Sequence, residues 1–243
     1  SGVPLDINHR SADRIPPRLE FLAGCAGLGL PSSADLNGAV AEGVGHYQIT
    51  TLGGRRMSAA RAHLRPARRR RNLHVETGAH ATRIQLRDGR AVAVDYLRGG
   101  RTQAASARAE VILAAGAIAS PLLLQHSGIG PGALLAGLGI EVLHDSPAVG
   151  QNLQDHLCID HLYRARRPTL NQQLGTGWGQ LRAGARYLAA RRGPLAISVN
   201  QAGGFVRSRP GLPAPDLQLY FSPLSYTRAP PGLRALLRPD PFP

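Results

Sequence analysis

The sequence predicts an α/β fold with some α+β character, and three observations carry that expectation. Val111 to Gly130 (VILAAGAIASPLLLQHSGIG) passes from an apolar, β-branched run through small residues into a helical pattern. The stretch from Asn72 to Ala109 alternates with period two around Asp88-Gly89, the signature of a β-meander. Beyond His156 the pattern changes to scattered strands and one amphipathic helix, which places a domain boundary there. At 243 residues the chain can bury one large core or two small ones.

Taken in order, Ser1 to Pro17 has no periodicity and is expected to be irregular. Arg18 to Gly27 places Leu19, Leu22 and Ala26 on one face, a short helix stopped by Gly27 and Gly29. Pro31 to Gly45 is a polar connection whose best turn is Asp35-Leu36-Asn37-Gly38. His46 to Thr51 alternates as a short strand, and Ser58 to His63 reads as a helix with Ser58 as its cap. Leu73 to Glu76 is the next expected strand. Thr82 to Leu86 and Ala91 to Leu97 should pair across a two-residue type I′ turn at Asp88-Gly89. Thr102 to Arg108 would extend the meander, followed by a buried strand over Val111 to Ala115.

Gly116-Ala117 then turns into a helix over Ile118 to His126, with Ser120 near its start to cap orphan N–H groups and Pro121 in its first turn. Ser127-Gly128-Ile129-Gly130-Pro131 stops it. Gly132 to Gly139 is a second short helix, and Glu141 to His144 and Cys158 to Arg164 are expected strands. Gly179 to Arg192 is an amphipathic helix with Leu181, Ala185, Leu188 and Ala189 on one side, ended by Pro194. Two strands, Ala202 to Val206 and Leu217 to Phe221, flank the proline-rich turn from Pro210 to Pro215.

The formal net charge is +14, and arginine supplies all 29 basic residues. A basic protein binding nucleic acid or another polyanion is one reading of that charge. Aromatic residues make up only 5% of the chain, too few for base-stacking platforms, and a compositional bias explains the charge better. The densest run, Arg65 to Arg71 (RPARRRR), fits either a phosphate contact or a solvated helix end; with no aromatic beside it, the solvated end is expected. Cys25 and Cys158 form no CxxC, and Asp155-His156 with Asp160-His161 lack the tight spacing of a zinc site, so no metal is expected. No GxSxG elbow is present, and the longest apolar run, Val111 to Leu124, is too short to span a bilayer.

The order Gly116-Ala117-x-x-Ser120-Pro121-x-Leu123-Leu124-x-x-Ser127-Gly128-Ile129-Gly130 resembles the second signature of the glucose–methanol–choline oxidoreductases. Val149-Gly150-Gln151-Asn152-Leu153-Gln154-Asp155-His156 looks like a further block of that family. Gly43 to Gln48 and Arg55 to Ala60 resemble its middle portion, closest to the choline-dehydrogenase-like branch. The resemblance implies an FAD-binding dinucleotide fold with a β-meander, joined to part of a substrate-binding domain. It implies oxidation of the CH–OH group of a small-molecule alcohol, choline-like or another primary alcohol, by hydride transfer to flavin.

By that resemblance residues 1–64 carry substrate-side loops and helices, 65–156 belong to the FAD-binding domain, and 157–243 to the substrate domain. Ala81 would hold the adenine edge through its backbone, and Ala115 and Gly116 would lie beside the adenosine–pyrophosphate portion of FAD. Asn200 and Gln201 would face the substrate. His156 is expected to be structural, and the family's catalytic histidine lies beyond Pro243. The GxGxxG cradle that meets pyrophosphate in such folds does not occur here between a strand and a helix, and in the family it precedes Ser1. Both ends look cut. The chain is therefore expected to be a piece of a longer protein, inactive alone or a truncated product, and cytoplasmic or membrane-peripheral with no transmembrane segment. The electron acceptor stays open.

Overall fold

The computed structural model describes residues 17–225, so the irregular N-terminal segment expected up to Pro16 and the proline-rich tail lie outside the described residues. In chain order the elements are α1 (Pro17–Gly27), β1 (Gly43–His46), β2 (Thr51–Leu52), β3 (Arg55–Arg56), a π-helical turn (Ala60–Leu64) and α2 (Arg65–Ala67). There follow β4 (His80–Arg87), β5 (Arg90–Arg98), β6 (Arg101–Ser106), α3 (Gly116–His126), β7 (Ile129–Gly130), α4 (Gly132–Gly137) and β8 (His144–Asp145). The chain continues through α5 (Leu170–Leu174), α6 (Gly177–Ala190), a 3₁₀ turn (Pro194–Ala196), β9 (Ala202–Val206) and β10 (Leu217–Phe221). It divides into two compact units, one of residues 1–70 with 160–243 and the other of residues 71–159.

The first unit is built on an antiparallel sheet in the order β1-β9-β10. Helix α1 forms where the apolar spacing predicts it and lays Phe21, Leu22 and Cys25 onto the sheet residues Val44, Val206 and Leu219. Phe21 stacks on Phe221 with ring centroids 5.0 Å apart, adding to the area that the helix buries. Burial also pushes the Cys25 thiol up from its ordinary value. The Asp35 turn closes as expected: Gly38 N–H donates to Asp35 O, and Asn37 N–H donates to the Asp35 carboxylate at 2.9 Å. Arg207 and Glu42 form an ion pair near this sheet.

Helix α5 starts with a capping box in which Thr169 and Gln172 satisfy each other's orphan groups. Asn171, 2% exposed, donates to Ser225 O at 2.7 Å and accepts from Ser225 N–H at 3.0 Å, so its buried amide is satisfied. Helix α6 is capped by Thr176, whose hydroxyl accepts from Gly179 N–H at 3.1 Å. Its buried side is Ala183, not the predicted stripe: Leu181 and Leu188 are 62% and 72% exposed. Periodicity finds an apolar face but does not choose which face meets a neighbour.

The second unit carries the meander β4-β5-β6, antiparallel throughout. Arg87 and Arg90 flank the tight turn, where Asp88 has φ 51° and Gly89 φ 74°, the two positive values a type I′ turn requires. A register shift between Ala81 and Arg83 leaves Thr82 as an extra residue, a bulge that re-aims the start of β4. Helix α3 packs against β4, and β7 pairs in parallel with β8. Leu135 of α4 is fully buried.

Several expected strands are absent. Leu73 to Glu76, Cys158 to Arg164 and Val111 to Ala115 form no strand and pair with none among the described residues. A strand exists only through its ladder, and apolar β-branched composition alone does not supply a partner. Ile112 is consequently 79% exposed in what was expected to be a buried strand. Near Thr51 and Glu141 the elements are displaced rather than lost: β1 ends at His46 and β8 begins at His144. Ser58 still serves the turn that follows it, accepting from Arg61 N–H at 3.3 Å.

Candidate functional site

Within the second unit, α3 begins two residues earlier than its periodicity suggests, at Gly116. Gly116 has φ +93°, a conformation that side-chain-bearing residues resist, and a Cβ placed there would meet nothing within 4 Å. Ala115 stands at the N-cap and no side chain caps the helix. Ser120 Oγ is used one step back, accepting from Ala115 N–H at 3.0 Å. Because the helix starts early, Pro121 falls in its second turn, where it removes one intrahelical hydrogen bond. The first turn therefore presents backbone N–H groups and a positive dipole end over open space, which suits an anionic group such as a pyrophosphate.

Beside it runs an open groove of about 540 Å³ lined by Ile118, Pro121, Leu122 and Gln125 of α3 and by the segment Gly150 to Gln154. Gln125 Nε2 donates to Val149 O at 3.1 Å, tying the VGQNLQDH segment to the helix. Asn152 within that segment has φ 57°, the left-handed conformation that asparagine tolerates better than most residues. His156 is exposed, and its backbone N–H donates to the Asp155 carboxylate at 2.8 Å.

Ala81 lies just before the bulge in β4 and pairs with Tyr96, while Ile84 pairs with Val94. Ile84 N–H points away from β5 and donates to Ser127 Oγ at 2.8 Å. Antiparallel alternation puts Ala81 in the same phase, because both residues stand opposite even-numbered residues of β5. Its backbone groups thus face the outer edge of the meander. Ala81, Ala115 and Gly116 share one unit, whose helix and edge strand are in contact. Ser127, Gln125 and Gly150 were not singled out as site residues. The only signal for them was that they fall within Gly116 to Gly130 and Val149 to His156, the two motif blocks.

In the first unit Asn200 is half-buried and Gln201 is 3% exposed. Gln201 N–H donates to Phe221 O at 3.1 Å, and its carbonyl accepts from Tyr47 N–H at 3.3 Å, which joins the sheet at its end. Tyr47 OH donates to Leu219 O at 2.7 Å and its ring lies 5.5 Å from that of Tyr220; burial pushes its phenol up from the ordinary value. Arg65 and Arg69 line an open hollow of about 380 Å³ with Pro66, at a helix end whose arginines are exposed. Among the described residues no group of three or more His, Cys, Asp or Glu could hold a metal ion. No described helix is long and apolar enough to cross a membrane.

The second unit thus joins a meander to a helix that starts at a positive-φ glycine and opens onto solvent, and the comparisons place the chain that carries this arrangement in an oxidoreductase family. Residues 3–158 match the family model described as GMC oxidoreductase, and the chain belongs to that FAD-dependent family. It is 44% identical over 200 residues to the oxygen-dependent choline dehydrogenase of Serratia proteamaculans, covering 81% of this chain and 36% of that protein. The same enzyme of Burkholderia multivorans is 43% identical over 198 residues, covering 81% of this chain and 35% of that protein. The chain thus spans about a third of the length of these relatives.

Among solved structures, pyridoxine 4-oxidase from Mesorbium loti superposes with a TM-score of 0.71 at 25% identity, covering 98% of this chain and 49% of that one. An FAD-dependent oxidoreductase from Chaetomium thermophilum gives 0.70 at 29% identity, over 79% of this chain and 34% of that one. Formate oxidase of Aspergillus oryzae gives 0.73 at 26% identity, over 85% and 36% respectively.

Proposed function

We propose that this chain supplies cofactor-holding and substrate-side parts of an FAD-dependent dehydrogenase or oxidase acting on the CH–OH group of a small alcohol of the choline type. The observation that carries the reading is the uncapped start of α3 at Gly116, positive in φ and open to solvent, inside a family signature. The bound flavin supplies the hydride-accepting ring. The chain's own residues hold it: the first N–H groups of α3 take the pyrophosphate side, and the outward backbone of Ala81 takes the adenine edge. In this reading Ala115 and Gly116 stay small so that the backbone can approach closely.

On the substrate side, Asn200 orients the hydroxyl, and Gln201 acts through the sheet end that it joins. Residues 65–156 form the cofactor portion, with 1–64 and 157–243 on the substrate side. The protein works in the cytoplasm or at a membrane surface, with no nucleic-acid partner. The test is to purify the longest natural polypeptide that carries this sequence, record its visible spectrum, and follow choline-dependent reduction of an artificial dye. Flavin bands with turnover on choline or another small alcohol are expected. A colourless protein that binds no added FAD would refute the proposal.

A further inference from the structure

The hydroxyl of Ser127 is completely buried and makes two hydrogen bonds at once. It donates to Leu123 O at 2.6 Å, within its own helix turn, and accepts from Ile84 N–H at 2.8 Å, on the outer edge of the meander. Ile84 is itself only 5% exposed, so no water can replace this acceptor without rearrangement. A serine at a helix end usually satisfies its own turn; this one reaches across to another element. It sits where α3 stops, held further by Gly128 O, which accepts from Leu143 N–H at 2.9 Å and His144 N–H at 3.0 Å.

We infer that Ser127 is a positioning residue for the cofactor: its hydroxyl fixes the edge of the meander to α3 and so sets Ala81 relative to Gly116. The inference rests on the functional reading above. Ala81 stands three residues before Ile84 on β4, and Gly116 stands at the far end of an 11-residue helix. At 1.5 Å per residue that end lies roughly 16 Å away, so a tilt of about 4° at Ser127 displaces it by about 1 Å. A displacement of that size between two contact points weakens binding of a rigid ligand that must reach both. Ser127 touches neither point. It acts through β4 and α3.

The test uses the longest natural polypeptide carrying this sequence, with the variants S127A and L135A. Leu135 is fully buried in the same unit, and its truncation destabilises without touching the β4–α3 bond. Dissociation constants for FAD and for ADP are measured with amide hydrogen exchange at Ile84. S127A is expected to speed Ile84 exchange at least about tenfold and to weaken both ligands about tenfold. L135A should leave the affinities within about twofold at a temperature well below its midpoint.

By linkage, saturating FAD should in turn slow Ile84 exchange in the unmodified protein, a measurement that stands even if S127A fails to fold. Unchanged Ile84 exchange in S127A, equal loss of affinity in L135A, or no slowing by FAD would each overturn the positioning role alone. Failure of the unmodified protein to bind FAD would overturn the functional reading as well.

Discussion

Two glycines of α3 and its stop signal have positive φ, and replacing each by alanine separates backbone strain from steric exclusion. At Gly116 (φ +93°) an added Cβ meets nothing within 4 Å. At Gly128 (φ +82°) it would lie 2.6 Å from Glu141 O, 2.9 Å from Leu143 Cγ and 3.2 Å from Leu143 N. The left-handed backbone costs alanine about 1–2 kcal/mol at either position. Gly128→Ala adds overpacking of about 1–3 kcal/mol, because the nearest obstacle is backbone that the β7–β8 pairing holds in place. The difference is then about 2 kcal/mol, or roughly 8–16 °C in the thermal midpoint for a unit of this size. The assay is thermal unfolding by far-ultraviolet circular dichroism, paired with FAD titration. Gly116→Ala should lose about tenfold in FAD affinity, 1.4 kcal/mol, at modest cost in stability. Gly128→Ala should lose stability first. Equal midpoints in the two variants would refute the steric argument, and unchanged FAD affinity in Gly116→Ala would refute the open-end argument.

Other outcomes follow from single contacts. Leu135→Ala empties a fully buried site in α4 and should cost about 3 kcal/mol in chemical denaturation; a loss below about 1 kcal/mol would mean that the site collapses onto itself. Asp88→Val puts a β-branched residue at φ 51° and should destabilise the meander by about 1–2 kcal/mol, whereas Asp88→Asn should be close to neutral, as judged by amide exchange in β4 and β5. Asp216 accepts from Ser208 N–H at 2.8 Å and Ser208 Oγ–H at 2.6 Å, and the Ser208 hydroxyl chiefly holds its carboxyl below the ordinary value. A carboxyl depressed in the folded state stabilises above its unfolded pKa of about 4 and loses that contribution as pH falls through the lower folded value. Asp216→Asn should therefore lose this small contribution at neutral pH, converge with the unmodified protein below the folded value, and so flatten this part of the acid limb of a stability–pH profile; an unaltered acid limb would count against the bond.

What was legible in the sequence depended on whether the deciding physics was local. The Asp88-Gly89 turn and the Asp35 turn are set by residues within four positions of one another, and both fall where the side-chain chemistry places them. The α1 helix and the β9–β10 pair also stand where their patterns put them, because one face of each had an apolar partner close by. Val111 to Ala115 failed for the opposite reason. Its composition is that of a buried strand, but a ladder is a property of two segments, and no other described segment supplies the second.

The misplaced face of α6 shows the same limit in a helix, since Leu181 and Leu188 advertise a core that Ala183 provides instead. At the candidate site the split is sharper. Gly116 was legible as a turn glycine from its place between an apolar run and a helix, and its φ of +93° agrees. Ser127 was legible only as a stop signal, because its function is a hydrogen bond to Ile84, 43 residues away. A motif block records that a residue is needed without recording what it touches. The bond itself belongs to the tertiary structure, and the β4–α3 contact turns a helix-ending serine into the tie between the edge of the meander and the helix.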